Sequence, residues 1–143
     1  MTQSETATEP TGPSTATIKR LFAHSGNQCA FQRCTSPLVD GEKVVGKICH
    51  IKARSSNGPR YDPHQTAAER HGYDNLILLC GRNHDVIDDD PDAYTVDYIQ
   101  KMKLQHEQSS PAVSDGQAEQ GAQMLLDQSV SRRVNQVGSP LIR

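Results

Sequence analysis

The residues of this chain whose types and spacing could do chemistry fall into two sets. His50 closes a run of β-forming residues, Asn75 opens a second apolar run, and His84 follows Cys80 by four residues. Cys29, Cys34 and Cys80 make up the other set. A neutral imidazole can take a proton from water near neutral pH, and an asparagine amide, donor and acceptor at once, can join two loops without adding charge. Two cysteines in a tight loop and a third at a strand end offer three soft ligands for the tetrahedral site that zinc prefers. The chemistry suggested is hydrolysis beside a metal ion.

The cysteine set needs a fourth ligand, and three candidates stand open: His84, at an allowed distance along the chain from Cys80, then His106, and the remaining thiol Cys49. The blander reading makes the cysteines small buried hydrophobes. Composition weighs against it. The chain has 143 residues, 34% of them hydrophobic, with no Trp and two Phe, so its core is thin for a single small domain. A structural zinc contributes on the order of 10–16 kcal/mol to small modules, more than the usual stability of a whole domain. Such a staple accounts for folding with so few aromatics.

The elements that must position these residues can be read along the chain. Met1 to Ser14 is polar and rich in Thr, Ser, Glu and Pro, which predicts disorder. Ile18, Leu21 and Phe22 recur at helical spacing, with Thr15 or Thr17 as N-cap and Gly26 as stop. A turn through Pro37, Asp40 and Gly41 follows the cysteine loop. Val44 to Ile51 reads as a strand with Val44, Gly46, Ile48 and His50 on one face, and Leu76 to Leu79 as a second, buried strand ending at Cys80. Between them lie a loop of turn formers, Ser55 to Pro63, and a short helix within Gln65 to His71. Helices are expected from Asn83 to Asp88 and from Val96 to about Glu107, the latter with Asp97 in its first turn. From Gln108 to Arg143 the composition predicts a flexible tail, with at most a turn or two of helix in Met124 to Val130.

Charge and compartment set further expectations. The net charge of −2 gives no overall pull toward nucleic acid, but its distribution is uneven. Lys43 to Tyr61 holds Lys43, Lys47, Lys52, Arg54 and Arg60 and no acid, whereas Asp85 to Asp97 holds six aspartates, so one stretch could meet phosphate while the other faces away. No secretory signal pattern opens the chain and no apolar run approaches the ~20 residues that span a bilayer. A soluble, cytoplasmic protein with reduced thiols is the expectation.

Several motifs in order carry a family resemblance. Gly26-Asn-Gln-Cys-Ala-Phe-Gln-Arg-Cys34, Ile48-Cys-His-Ile51, Asn57-Gly-Pro-Arg60, Asn75-Leu-Ile-Leu-Leu-Cys80 and His84-Asp-Val-Ile-Asp88 resemble the HNH endonucleases of the ββα-metal fold. The likeness extends through Tyr94-Thr-Val96 and Lys103-Leu-Gln-His-Glu107 and is closest to HNH modules of bacterial antiphage defence, which often precede a cyclic-nucleotide-sensing SAVED domain. The resemblance implies an α+β, zinc-stapled ββα-metal domain over residues 15–107, with flanking helices and disordered ends at 1–14 and 108–143. It implies His50 as general base, Asn75 as the brace of the loop that holds it, and His84 as a ligand of a catalytic Mg²⁺ or Mn²⁺. Lys52, Arg54 and Arg60 would hold DNA phosphates, contacts that set affinity and read little sequence.

Two positions depart from the family pattern. Cys49 stands where many active members carry Asp or His, and Asn83 replaces the first His of Cys-x-x-His-His. With Asn83 there, His84 is expected to remain catalytic and His106 or a water to complete the zinc shell. The implied activity is hydrolysis of double-stranded DNA with low sequence preference, with a homodimer or a separately encoded regulator as further partners. The rival is a zinc-stabilised DNA-binding or protein-interaction module of the same fold without catalysis. A redox role for Cys29 and Cys34 fits less well, because four residues separate them. His24, His64 and His71 receive no role.

Overall fold

The computed structural model describes residues 9–138 and shows a small mixed α+β domain. Helix α1 (Thr15–Ser25) ends at Gly26, whose left-handed φ of 65° suits glycine, and Ser14 rather than Thr15 or Thr17 caps its start by accepting from the Thr17 N–H. A small hairpin follows, β1 (Val39–Asp40) against β2 (Lys43–Val44), turning at Gly41. Strand β3 (Gly46–His50) pairs antiparallel with β4 (Leu76–Cys80) in a register that sets Gly46 opposite Cys80 and His50 opposite Leu76. Between them lie the short helix α2 (Ala67–Arg70) and a 3-10 turn at Tyr73–Asn75. The chain closes with α3 (Gly81–Asp89), α4 (Val96–Ser109) and α5 (Asp115–Gly138).

Every residue of β4 is buried because the strand pair is covered on both faces. Leu76 and Leu78 join Ile18, Leu21 and Phe22 of α1 and Ala118, Ala122 and Leu125 of α5. Ile77 and Leu79 point the other way, toward Cys29, Cys80, Ile87 of α3 and Ile99 and Met102 of α4. The alternation of faces along a strand thus turns one apolar run into the floor of two half-cores.

The flexible tail expected over 108–143 is corrected within 115–138, where α5 forms; residues 139–143 lie outside the described residues. Ser114 and Gln117 form a reciprocal cap, Gln117 N–H to the Ser114 hydroxyl and Ser114 N–H to the Gln117 side chain, and Ala118, Ala122 and Leu125 follow at helical spacing. Gly121 lets the helix approach the Phe22 ring closely, since a Cβ there would stand inside contact distance of that ring. The burial of this stripe against α1 is what orders a sequence of modest helical promise. Of the opening segment, residues 9–14 are described and form no helix or strand. Thr11 accepts a hydrogen bond at its carbonyl from the Arg54 guanidinium at 2.7 Å; residues 1–8 lie outside the described residues.

Candidate functional site

Two sites hang on the β3–β4 pair, at its opposite ends. At the Cys80 end, the Sγ atoms of Cys29, Cys34 and Cys80 lie within 4.8 Å of one another. Thiolates on a tetrahedral ion at ~2.3 Å would stand ~3.8 Å apart, so a small contraction would seat a metal. The Cys29 sulfur accepts from the backbone N–H of Cys80 at 3.1 Å and of Phe31 at 3.5 Å, and the Asn83 amide lies 3.6 Å away. Burial pushes the Cys29 thiol up to about 11, against the pull of those donors toward thiolate. A cation beside the sulfur would reverse the balance, as metal coordination deprotonates thiols. The three cysteines therefore fit a structural metal ion.

None of the proposed fourth ligands joins them. His106 instead places Nε2 at 2.7 Å from the Ser25 carbonyl, tying α4 to the end of α1, and its expected role at zinc is corrected. His84 turns to Asp88, and Cys49 is buried with its thiol directed at the Lys47 carbonyl, 3.5 Å away. Among the described residues no further His, Cys, Asp or Glu joins the three cysteines.

The other site follows from geometry alone. A five-residue strand covers ~13 Å between its end residues, and from Gly81 the helix α3 rises ~10 Å by Asp88. The helix thus starts at the cysteine end and returns along the sheet to the level of His50. There, His50 and Ile48 of β3, His84 and Asp88 of α3, Arg54 of the following loop and Leu126 of α5 line one cleft of about 450 Å³. Thr11, Gly12 and Pro13 form part of its wall.

Within the cleft, His84 Nε2 lies 3.1 Å from Asp88 Oδ2, an i, i+4 pair on one helix face. The other ring nitrogen of His84 is buried without a hydrogen bond, and Asp85 Oδ1 stands 3.5 Å from it outside bonding geometry. Asp88 Oδ1 receives the Arg60 guanidinium at 2.7 Å. Burial pushes the Asp88 carboxyl up, but the hydrogen bonds from His84 and Arg60 prevail and hold it below its ordinary value. Asp88 was missed in the sequence because it sits in a run of aspartates that was expected to face away.

Asn75, expected as the brace of the loop after His50, is buried, 6% exposed. Its Oδ1 accepts the Lys52 N–H at 2.9 Å, and its Nδ2 donates to the carbonyls of Lys52 at 2.9 Å and Arg70 at 2.8 Å. One amide thereby joins the loop after His50 to the end of α2. His71, given no role from the sequence, lies at that helix end with Nδ1 3.0 Å from His50 Nε2. Burial, then the charges of His71, Arg54 and Arg70, bring the His50 ring down to about 4, with Asp88 opposing.

The three expected phosphate contacts separate. Arg54 lines the cleft. Lys52 pairs with Asp62 at 3.0 Å and faces a separate hollow shared with Arg20. Arg60 is corrected outright: its side chain is 4% exposed and it donates to the carbonyls of Ile51, Ile87 and Tyr94 as well as to Asp88. A guanidinium so enclosed joins the end of β3 to α3 and cannot reach a phosphate.

No protein-family model matches the chain and no curated protein matches it. No helix among the described residues is long and apolar enough to cross a membrane.

Proposed function

We propose that the protein is a metal-dependent endonuclease of the HNH, ββα-metal type that hydrolyses phosphodiester bonds in double-stranded DNA with little sequence preference. The observation that carries this reading is the convergence of His50, His84 and Asp88 on one cleft, with Asn75 bracing the loop beneath. The three cysteines would hold a structural zinc, completed by a water. His84 and Asp88 would hold a divalent ion, Mg²⁺ or Mn²⁺, through a ring nitrogen and the carboxylate. When bound, that ion supplies charge to stabilise the leaving 3′ oxygen.

The chain's own residues do the rest. His50, kept neutral by its surroundings, accepts a proton from water, whose oxygen bonds to phosphorus while the bond to the 3′ oxygen breaks. Arg60 holds Asp88 in place and ionised. Arg54, on the cleft wall and bonded to the Thr11 carbonyl, is the phosphate contact in this reading. One such site per chain cuts one strand, so a double-strand break takes a second copy or a second event. A role in defence rests on the resemblance alone.

A second reading, a zinc-stabilised binding module without catalysis, is favoured by one observation: only Arg54 of the three expected cations lines the cleft. Incubation of supercoiled plasmid with the protein and Mg²⁺ or Mn²⁺, beside EDTA and a His50→Ala variant, separates the two. Nicking that vanishes in both controls is expected. Intact plasmid under every metal, from folded and zinc-loaded protein, would favour the binding module.

A further inference from the structure

The pairing of two histidines behind the cleft is not accounted for by metal binding or by the brace. His50 Nε2 and His71 Nδ1 are 3.0 Å apart, and the rings meet edge to face at 86°. His71 is 9% exposed and sits where α2 ends, its backbone N–H bonded to the Ala67 carbonyl. The helix is held by a full capping box between Thr66 and Glu69. The Asn75 amide then fixes the separation of the two histidine segments, because it bonds Lys52, two residues after His50, and Arg70, immediately before His71. Three independent constraints thus converge on one ring-to-ring contact.

We infer that His71 is the positioning residue for His50: its Nδ1 accepts the hydrogen bond from His50 Nε2–H and so leaves the His50 Nδ1 lone pair available to the cleft. This rests on the nuclease reading for its consequence, though not for its geometry. A neutral imidazole carries one ring proton, and a contact with a second imidazole admits two senses. If His71 donated, the His50 proton would sit on Nδ1, and neither His50 nitrogen could accept from water. If His50 donates, Nε2 is spoken for and Nδ1 is free.

The surroundings disfavour the charged form of His71, which allows only the first sense. A charged His71 would donate from both nitrogens and impose the wrong tautomer. Burial, and then the Arg54 and Arg70 guanidiniums, lower its affinity for a proton. Once His50 Nδ1 has taken a proton from water, Nε2–H remains donated to His71, and the bond strengthens because its donor is now charged.

The test is nitrogen-15 NMR of the histidine rings in the full chain, for wild type, His71→Ala and His71→Asn, beside plasmid nicking by the same proteins. Wild-type His50 is expected in the Nε2–H form. His71→Ala should lose that preference and slow nicking by at least about tenfold, a fraction of what a general base supplies. Asparagine, whose side-chain oxygen can replace Nδ1 as acceptor, should restore both. A wild-type His50 protonated on Nδ1 overturns the inference, and that result does not depend on any variant folding. So does a folded His71→Ala protein with unchanged tautomer and a rate within about twofold of wild type. Failure of the wild type to cut would instead strike the nuclease reading, while the ring nitrogens still score the pairing.

Discussion

The cysteine knuckle and the histidine cleft occupy opposite ends of one strand pair, yet they are built by different means. At the knuckle, Cys29 and Cys34 are close in sequence and Cys80 arrives at the end of a buried strand, amid apolar side chains. Around the cleft, polar pairs join its lining and the residues behind it across loops: Asn75 to Lys52, Arg60 to Asp88, His50 to His71. The knuckle brings together three thiols that could hold a metal ion, two of them buried. At the cleft, hydrogen bonds from His84 and Arg60 hold Asp88 below its ordinary value, and burial lowers the His50 ring. A metal on the three thiols would anchor the strands that both ends share.

The strongest way to break this contrast is to remove a strand-borne thiol. Cys80→Ser should abolish metal binding at the knuckle and cooperative unfolding with it, since a structural zinc contributes on the order of 10–16 kcal/mol. Metal content and a thermal melt read this together. A variant that lost the metal but kept a cooperative melt would show that the cleft end stands on its own.

Arg60→Ala should act on the cleft and spare the knuckle. It strips a buried guanidinium from Asp88 and three carbonyls, and breaking a buried pair by removing one partner costs about 3–5 kcal/mol. Urea unfolding should show that loss, while zinc stoichiometry in the remaining folded protein stays at wild-type level. Loss of both together would mean the two ends are coupled through α3.

The smallest effect distinguishes the regions by pH. Burial brings the His50 ring from an ordinary value of 6.5 down to about 4. The unfolded chain then binds more protons than the folded one in that interval, so the contribution of His50 is complete above about pH 6.5 and fades as pH falls toward about 4. Urea midpoints across this range should fall less in a His50→Gln protein than in wild type. Equal slopes would mean that burial does not set the His50 ring apart.

Much of the frame was legible in residue order. Helix α1 with its Gly26 stop, the strand Leu76–Cys80 and the helix from Val96 came from local periodicity and caps, signals that act over a few residues. The α5 helix was legible too, in the Ser114–Gln117 cap and the Ala118, Ala122, Leu125 spacing, but its Ser, Gln and Gly content masked them. Arg60 illustrates the opposite limit. A cation in an acid-free loop looks like a phosphate ligand, and only its enclosure by Ile51, Ile87, Tyr94 and Asp88 shows otherwise.

Residue types and spacing alone established that three cysteines could share a metal, that His50 and Asn75 lie at the ends of elements and that His84 lies on a helix, because ligand chemistry and periodicity are local. Which charges face the cleft, that Asp88 lines it and His71 meets His50 behind it, and that His106 does not reach the cysteines depended on the packed chain. Those partners lie from 4 to 81 residues apart, and distant groups meet only where the burial of apolar faces on both sides of β3–β4 brings their helices together.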